Sequence, residues 1–352
     1  MRVVVVGGTG NIGTSLLRLL ERDDAVGSVV SVARRPASLP LGKVEWVAAD
    51  VAEDDLADVF TDADAVVHLA FVLQPMRDEA AMRRINVDGT RRVVDAVVRA
   101  RVPALLVSST VGAYATAPKS RAVDESWPLG PPGGSPYARH SVEAEEILDE
   151  LEGRGGTRVV RFRIAVAWKR EAATQSRRIF GGPFVPSTLA RPSLVPVIPD
   201  IPRLRFQCVH TDDAAEAIRL ALHTDAAGAF NVAADPPLDA RELARILDAR
   251  VVPAPPGADR LLRAGLDGLW RLRLVPLAPS WLDMVLGLPI LDCTRARVEL
   301  GWEPRHTPEE VVLELLDGLR TGADLDTPPL AAASSGPARL HEVETGVGSR
   351  EP

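Results

Sequence analysis

The sequence predicts an α/β fold: a doubly wound parallel sheet followed by a smaller C-terminal lobe. Three observations carry this. From residue 1 to about residue 170, apolar β-branched runs alternate with helical patterns, the mark of a parallel sheet covered by helices on both faces. The first run, Arg2–Val6, passes through Gly7-Gly8-Thr9-Gly10-Asn11-Ile12-Gly13 into a helical pattern. After Trp168 the alternation loosens and prolines accumulate.

The elements follow in order. Arg2–Val6 is continuously apolar after its first residue, as a strand buried on both faces must be. Residues 12–22 place Ile12, Leu16, Leu19 and Leu20 at helical spacing. Ser28–Ala33 and Val44–Ala48 read as the second and third strands, residues 65–70 as the fourth, and residues 104–108, after Pro103, as the fifth. Between the last two, residues 78–100 read as a long helix. A further helix covers 137–151, entered through the turn-rich stretch 130–136, and a sixth strand covers 158–167. Residues 181–202 carry many prolines and only Arg191 and Asp200 as charges, so they read as a loop or lid. Residues 227–233 return as a strand, and 239–249 and 308–320 as helices. Residues 321–352 are rich in Gly, Pro, Ser and Ala. They bury too little apolar surface to offset ordering entropy and are expected to be a disordered tail. The expected units are therefore 1–170, 171–320 and the tail.

A chain of 352 residues holds about two domains, and its 46% hydrophobic and 25% charged residues are ordinary for a soluble protein. The net charge of −7 argues against a nucleic-acid binder, which normally needs a basic face. Lysine occurs only at Lys43, Lys119 and Lys169, so arginine supplies nearly all positive charge. Cys208 and Cys293 show neither metal-ligand spacing nor a disulfide framework. No metal and a reducing, cytoplasmic setting are expected. No apolar run approaches the ~20 residues that span a bilayer. The apolar N-terminus is broken by Gly7, Gly8 and Gly10 and reads as a strand, not a signal peptide.

Strand, Gly7-x-x-Gly10-x-x-Gly13, then helix is the context that gives a glycine motif chemical meaning. One glycine permits the tight turn, one lets backbone approach a phosphate, and one lets helix pack on strand. The helix N-terminus then offers free N–H groups and positive dipole to a pyrophosphate. This predicts a Rossmann-type dinucleotide site. An NAD enzyme usually places an acid about 20 residues on, at the end of the second strand, for the ribose 2′-hydroxyl. Here Val32-Ala33-Arg34-Arg35-Pro36 holds none. Two guanidiniums suit a 2′-phosphate, so NADP is favoured over NAD. The alternative is that Arg34 and Arg35 simply face water.

With these residues the chain resembles the extended short-chain dehydrogenase/reductase family, its NAD-dependent epimerase/dehydratase group, over about residues 1–320. The family's glycine loop is matched by Gly8-Thr9-Gly10-Asn11-Ile12-Gly13, with Gly7 ahead of it. Asp50-Val51 matches the pair that contacts adenine, and His68-Leu69-Ala70 the strand end beside the cofactor. Asn86-Val87-Asp88-Gly89-Thr90 and Val107-Ser108-Ser109-Thr110 followed by Tyr114 match two further segments, as do Phe206–Asp213, Asn231-Val232 and Leu300-Gly301-Trp302 later on. The resemblance implies a hydride-transfer enzyme, an oxidoreductase or epimerase, acting on a small-molecule hydroxyl or carbonyl. It also implies cofactor contacts from the glycine loop, Asp50, Val51, Leu69 and Ala70. Two long helices often pair between family subunits, and residues 78–100 and 137–151 are the candidates for such a homodimer.

The resemblance also implies a catalytic Ser/Thr at Thr110, a proton-transferring Tyr at Tyr137 and a Lys at position 141. In the family that Lys lowers the Tyr pKa from about 10 toward working pH. Position 141 is Ser. Ser135-Pro136-Tyr137 before it and Glu143-Ala144-Glu145 after it fix the register, and Arg139 and His140 share the helix face of Tyr137 poorly. A lone tyrosine can donate a proton but is a weak base. Three readings follow: altered chemistry in which something else fills the lysine's place, a cofactor-binding regulator or sensor without turnover, or a plain core tyrosine. The intact Thr110–Tyr137 pairing counts against the third, and the first is narrowly preferred to the second.

Nucleotide-sugar members often carry a diphosphate-binding Arg where this chain has Phe206; Arg205 is one residue off and on the other strand face. With the apolar stretch 181–202, this favours an apolar or uncharged substrate, although an irregular segment can be apolar simply because it is buried. Residues 260–290 mix Arg260, Arg263, Arg271 and Arg273 with Leu, Trp270 and Trp281. A helical lid with water-facing arginines is the favoured reading, over a membrane-surface element. His68, His140 and His210 show no metal spacing. His210 with Asp212 and Asp213 reads as a strand-to-helix junction, a carboxylate capping a helix that begins near Ala214.

Overall fold

Val3 and Val5 pack into one core and Val4 and Val6 into another. A strand buried on both faces needs neighbours on both edges, and β1 (Arg2–Val6) has them. The computed structural model describes residues 1–184, 191, 194–335, 339 and 342. Among these, β1 is an interior member of a seven-stranded sheet. The others are β2 (Ser28–Ala33), β3 (Val44–Ala48), β4 (Ala65–His68), β5 (Ala104–Thr110), β6 (Arg158–Ile164) and β7 (Gly228–Val232). All pairings are parallel, in the order β7-β6-β5-β4-β1-β2-β3. This is a Rossmann-type α/β fold.

One face is covered by helices Asn11–Glu21 and Thr211–Leu222, which bring Leu16, Leu17, Leu20, Ala214 and Ile218 into the first core. Helices Gly89–Ala100 and Pro136–Arg154 cover the other with Val93, Val97, Ile147 and Leu148. From β1 the chain runs outward through β2 to β3 and then crosses back to β4 on the other edge of β1, so a crevice opens at the carboxyl ends of β1 and β4, where doubly wound sheets bind ligands.

The structure departs from the sequence reading in five places. The sixth strand stops at Ile164: Ala165 N–H donates to Val232 O at 2.9 Å, and Val166–Trp168 leaves the sheet to pair with Cys208–His210. The long helix is interrupted by a π-helical turn, Arg84–Asp88. Within that turn Asn86 grips the backbone of Val72, accepting from its N–H at 2.7 Å and donating to its carbonyl at 3.1 Å. Within the expected loop 181–202, Val197–Asp200 pairs with Arg250–Pro253, and 185–190, 192 and 193 lie outside the described residues. The cap of helix Thr211–Leu222 is the His210 ring, which accepts from Asp212 N–H, not a carboxylate; Asp213 instead pairs with His306 at 3.0 Å.

The fifth departure concerns the tail. Within 321–334 two residues are buried: Thr327 and Leu330 are 1% and 0% exposed. A composition average misses a single apolar residue, Leu330, that tertiary packing buries completely. The rest of that expectation, Arg339 and Glu342 aside, lies outside the described residues.

Candidate active site

The glycine loop is shaped by contact, not only by flexibility. Gly7 has φ +94°, and a Cβ there would lie 2.7 Å from Ala70 N. A Cβ at Gly13 would lie 2.4 Å from Gly7 O. Gly10 is the N-cap of helix Asn11–Glu21 and offers no side chain to its first turn, so those N–H groups stay available to an anion. The Asn11 side chain instead stitches the loop to the C-terminal lobe, donating to Ala167 O at 2.9 Å and accepting from Thr211 Oγ1 at 3.1 Å.

Gly7, Gly10, Asn11, Ile12, Gly13, Arg34, Arg35, Asp50, Val51, Leu69 and Ala70 all line one cleft of about 820 Å³, together with Thr110, Tyr137 and Ser141. Asp50 and Val51 stand past the end of β3; the Asp50 carboxylate accepts from Ala52 N–H at 2.9 Å. Arg34 lies just past β2 and its Nη2 is buried without a hydrogen-bond partner among the described residues. Arg35 is exposed. Arg178, which the sequence reading did not single out, also lines the cleft; burial lowers its pKa, and the neighbouring charges of Arg177 and Arg35 add to this. A cradle that a Cβ would fill and an orphaned guanidinium nitrogen both fit a phosphorylated dinucleotide.

The reaction end is built differently. Thr110 ends β5, and its Oγ1 accepts from Gly112 N–H at 3.1 Å. Tyr137 sits in the first turn of helix Pro136–Arg154, started by Pro136 at N1 and by Ser135 Oγ, which accepts from Ala138 N–H at 3.2 Å. The Tyr137 hydroxyl is hydrogen-bonded to Thr110. Its ring stacks on Trp281 at 5.5 Å and meets the edge of Phe71 at 5.7 Å. Burial pushes the phenol up to about 12, and the Thr110 bond is the one influence pulling it down. Among the described residues no cation takes the lysine's part. Ser141 is 2% exposed and its hydroxyl donates back to Tyr137 O at 2.8 Å, so it stabilises its own helix and sends no charge into the cleft.

One turn on, Glu145 is buried and held by Arg163 through two contacts of 3.0 and 3.1 Å, by Arg161 at 3.1 Å and by Ser109 at 2.5 Å. Burial works against its ionisation, but Arg163 wins and keeps the carboxyl below its usual range. Arg163 in turn reaches Tyr114, whose hydroxyl donates to Asn231. This cluster ties helix Pro136–Arg154 to β5 and β6 at the floor of the site, with Arg161 Nε buried without a hydrogen-bond partner among the described residues. His68 is a structural residue: burial drives its imidazole down to about 4, and it bonds Thr90 at 3.1 Å.

The substrate side is apolar. Leu262 and Leu266 of helix Ala258–Arg271, and Trp281 and Met284 of helix Pro279–Gly287, line the cleft together with Phe71 and Leu73. Arg263 pairs outside with Asp283 at 3.0 Å and Arg271 with Asp267 at 2.8 Å. Arg205 does not enter the cleft; it donates to Lys119 O at 2.9 Å. Local sequence carries no signal for the Phe71–Tyr137–Trp281 cluster, because its members come from distant segments. Among the described residues no helix is long and apolar enough to cross a membrane.

Comparison with known proteins accords with this geometry. A profile of the NAD dependent epimerase/dehydratase family matches residues 3–233. The chain is 26% identical over 376 residues to a dTDP-glucose 4,6-dehydratase of Streptomyces niveus, covering 96% of this chain and 99% of the relative. It is 29% identical over 329 residues to a 3-diazoavenalumate denitrifying reductase of a Streptomyces species, covering 87% and 97%. Among solved structures, a UDP-glucose 4-epimerase of Thermus thermophilus, in complex with NAD, shares the fold with a TM-score of 0.66 and 21% identity, covering 91% of this chain and 99% of the epimerase.

Proposed function

We propose, from the premise that this chain belongs to the NAD dependent epimerase/dehydratase family, that it is an NADP-preferring reductase acting on a carbonyl of a largely apolar substrate. The observation that carries this reading is Tyr137. Its phenol stands near 12, with Thr110 as its hydrogen-bond partner and Ser141 where the family lysine would be. At neutral pH such a group is a proton donor and hardly ever a base. Reduction needs a donor. Epimerisation and dehydration in this family open with removal of a hydroxyl proton and need the base.

The nicotinamide, when bound, supplies the hydride. The chain's own part is to orient and protonate. Thr110 and Tyr137 hold the carbonyl oxygen between two hydroxyls, which polarises the carbonyl. Tyr137 then gives its proton to the oxygen as negative charge develops there. An alkoxide is more basic than even this phenolate, so the transfer runs downhill, and solvent returns the proton to Tyr137. The walls of Phe71, Trp281 and Leu266 exclude water around the reacting group and bind an apolar body.

The preference for NADP rests on Arg34, whose Nη2 is buried without a partner among the described residues at the end of β2, with Arg35 and Arg178 close by. A buried unpaired guanidinium N–H is costly, and a 2′-phosphate is the anion that would complete it. Arg205, turned away from the cleft toward Lys119, supports an apolar substrate over a nucleotide sugar.

The test is consumption of NADPH with a panel of apolar ketones and aldehydes, repeated with NADH. Turnover is expected with NADPH, and less with NADH at equal concentration. One observation favours a second reading: among the described residues no charge replaces the lysine. Stoichiometric NADPH binding without consumption across the panel would convert the assignment to a non-catalytic, NADP-binding regulator.

A further inference from the structure

Lys169 is 1% exposed. It follows the short strand Val166–Trp168, and its ammonium lies under the first turn of the glycine-loop helix. There it donates to Asn11 O at 2.9 Å, Thr14 Oγ1 at 2.8 Å and Ser15 Oγ at 2.9 Å. Those three bonds use every donor an ammonium has. All three acceptors are neutral oxygens. The closest acid in the network is one step away, since Ser15 Oγ donates to Asp212 at 2.5 Å. Glu171, the next residue but one, is turned to Arg18 at 3.4 Å. A buried ammonium without a contacting carboxylate is expensive, and the reaction at Tyr137 makes no use of it. The same helical turn presents the uncapped N–H groups that would receive a pyrophosphate.

We propose that Lys169 is a positioning residue for the dinucleotide: its buried charge, held against the first turn of helix Asn11–Glu21, strengthens that turn's hold on the pyrophosphate and is balanced by it. The bonds to Asn11, Thr14 and Ser15 also fix the turn's geometry, while Asn11 ties it to Thr211. NAD and NADP share the pyrophosphate, so the inference stands apart from the 2′-phosphate choice and from turnover.

The charged groups facing Lys169 are Arg18 on its covering helix, Glu171 beside it and Asp212 on helix Thr211–Leu222. Burial pulls the ammonium down to about 8, Arg18 adds to this, and Glu171 and Asp212 oppose it. A neighbouring anion favours the charged form. Cofactor affinity is therefore full below about 8 and is lost as pH rises beyond it.

The experiment is direct binding of NADH and of NADPH, read by fluorescence of the bound nicotinamide, to wild type, Lys169→Met and Lys169→Arg. At neutral pH the methionine variant is expected to bind both cofactors roughly tenfold more weakly, and the arginine variant to keep most of the affinity. Wild-type affinity should fall on raising pH from about 7 to about 9.5, while the methionine variant stays flat. A methionine variant within about twofold of wild type overturns the proposal, and so does a flat wild-type profile. If Lys169→Met does not fold, the wild-type profile alone decides.

Discussion

The two ends of one cleft have diverged. At the pyrophosphate end the steric requirement is met: Gly7 and Gly13 stand where a Cβ would lie 2.7 and 2.4 Å from backbone. At the reaction end the requirement is electrostatic and only half is met: Tyr137 and Thr110 are bonded, but Ser141 carries no charge. The lesson is that holding a dinucleotide and activating a tyrosine as a base are separable. A site can keep the first and retain only the acid half of the second.

The sharpest way to break this comparison is Tyr137→Phe. The phenyl ring keeps the stack on Trp281 but has no proton to give, so carbonyl reduction should fall by roughly 10²- to 10⁴-fold with NADPH affinity unchanged in a binding titration. An equal loss of binding would mean that the two ends are not separable. At the other end, Gly13→Ala forces its Cβ against Gly7 O. Cofactor affinity should fall by roughly a hundredfold, about 2.7 kcal/mol, measured by calorimetry.

Ser141→Lys sharpens the contrast by restoring the missing charge. An ammonium near Tyr137 would lower the phenol's pKa from its value of about 12. Oxidation of the alcohol product at neutral pH should then rise, roughly tenfold for each unit the phenol descends. The sign in the reducing direction is opposite. Wild type keeps its donor through the neutral and alkaline range, whereas the lysine variant should lose reductive rate as pH rises past the lowered value. Paired pH–rate profiles check both limbs. The smallest effect is expected for Arg34→Met: NADPH binding weaker by about tenfold, roughly 1.4 kcal/mol, with NADH binding unchanged.

Much of this was legible in the chain. β2 and β3 have the predicted ends, because β-branched runs bounded by turn residues are local signals. The residues expected to hold the cofactor line one cleft because the glycine loop, Arg34 and Asp50 all lie at carboxyl ends of strands, where the topology gathers them. What was not legible depends on packing between distant segments. Nothing near Phe71 or Trp281 announces that they enclose Tyr137, and it is that enclosure which raises the phenol. Leu330 looks like a stray apolar residue in a low-complexity stretch until tertiary packing buries it. The rarity of lysine was visible, but not that Lys169 is buried under the loop.

The central claim is that Tyr137 stays protonated under working conditions. The chain has two tyrosines, Tyr114 and Tyr137, and burial raises both phenols. An ultraviolet titration of the native protein therefore reads the claim directly. The account predicts no tyrosinate absorbance between about pH 6 and pH 10. A phenol that ionises near pH 7 to 8 would contradict it and would return this site to the family's ordinary acid–base chemistry.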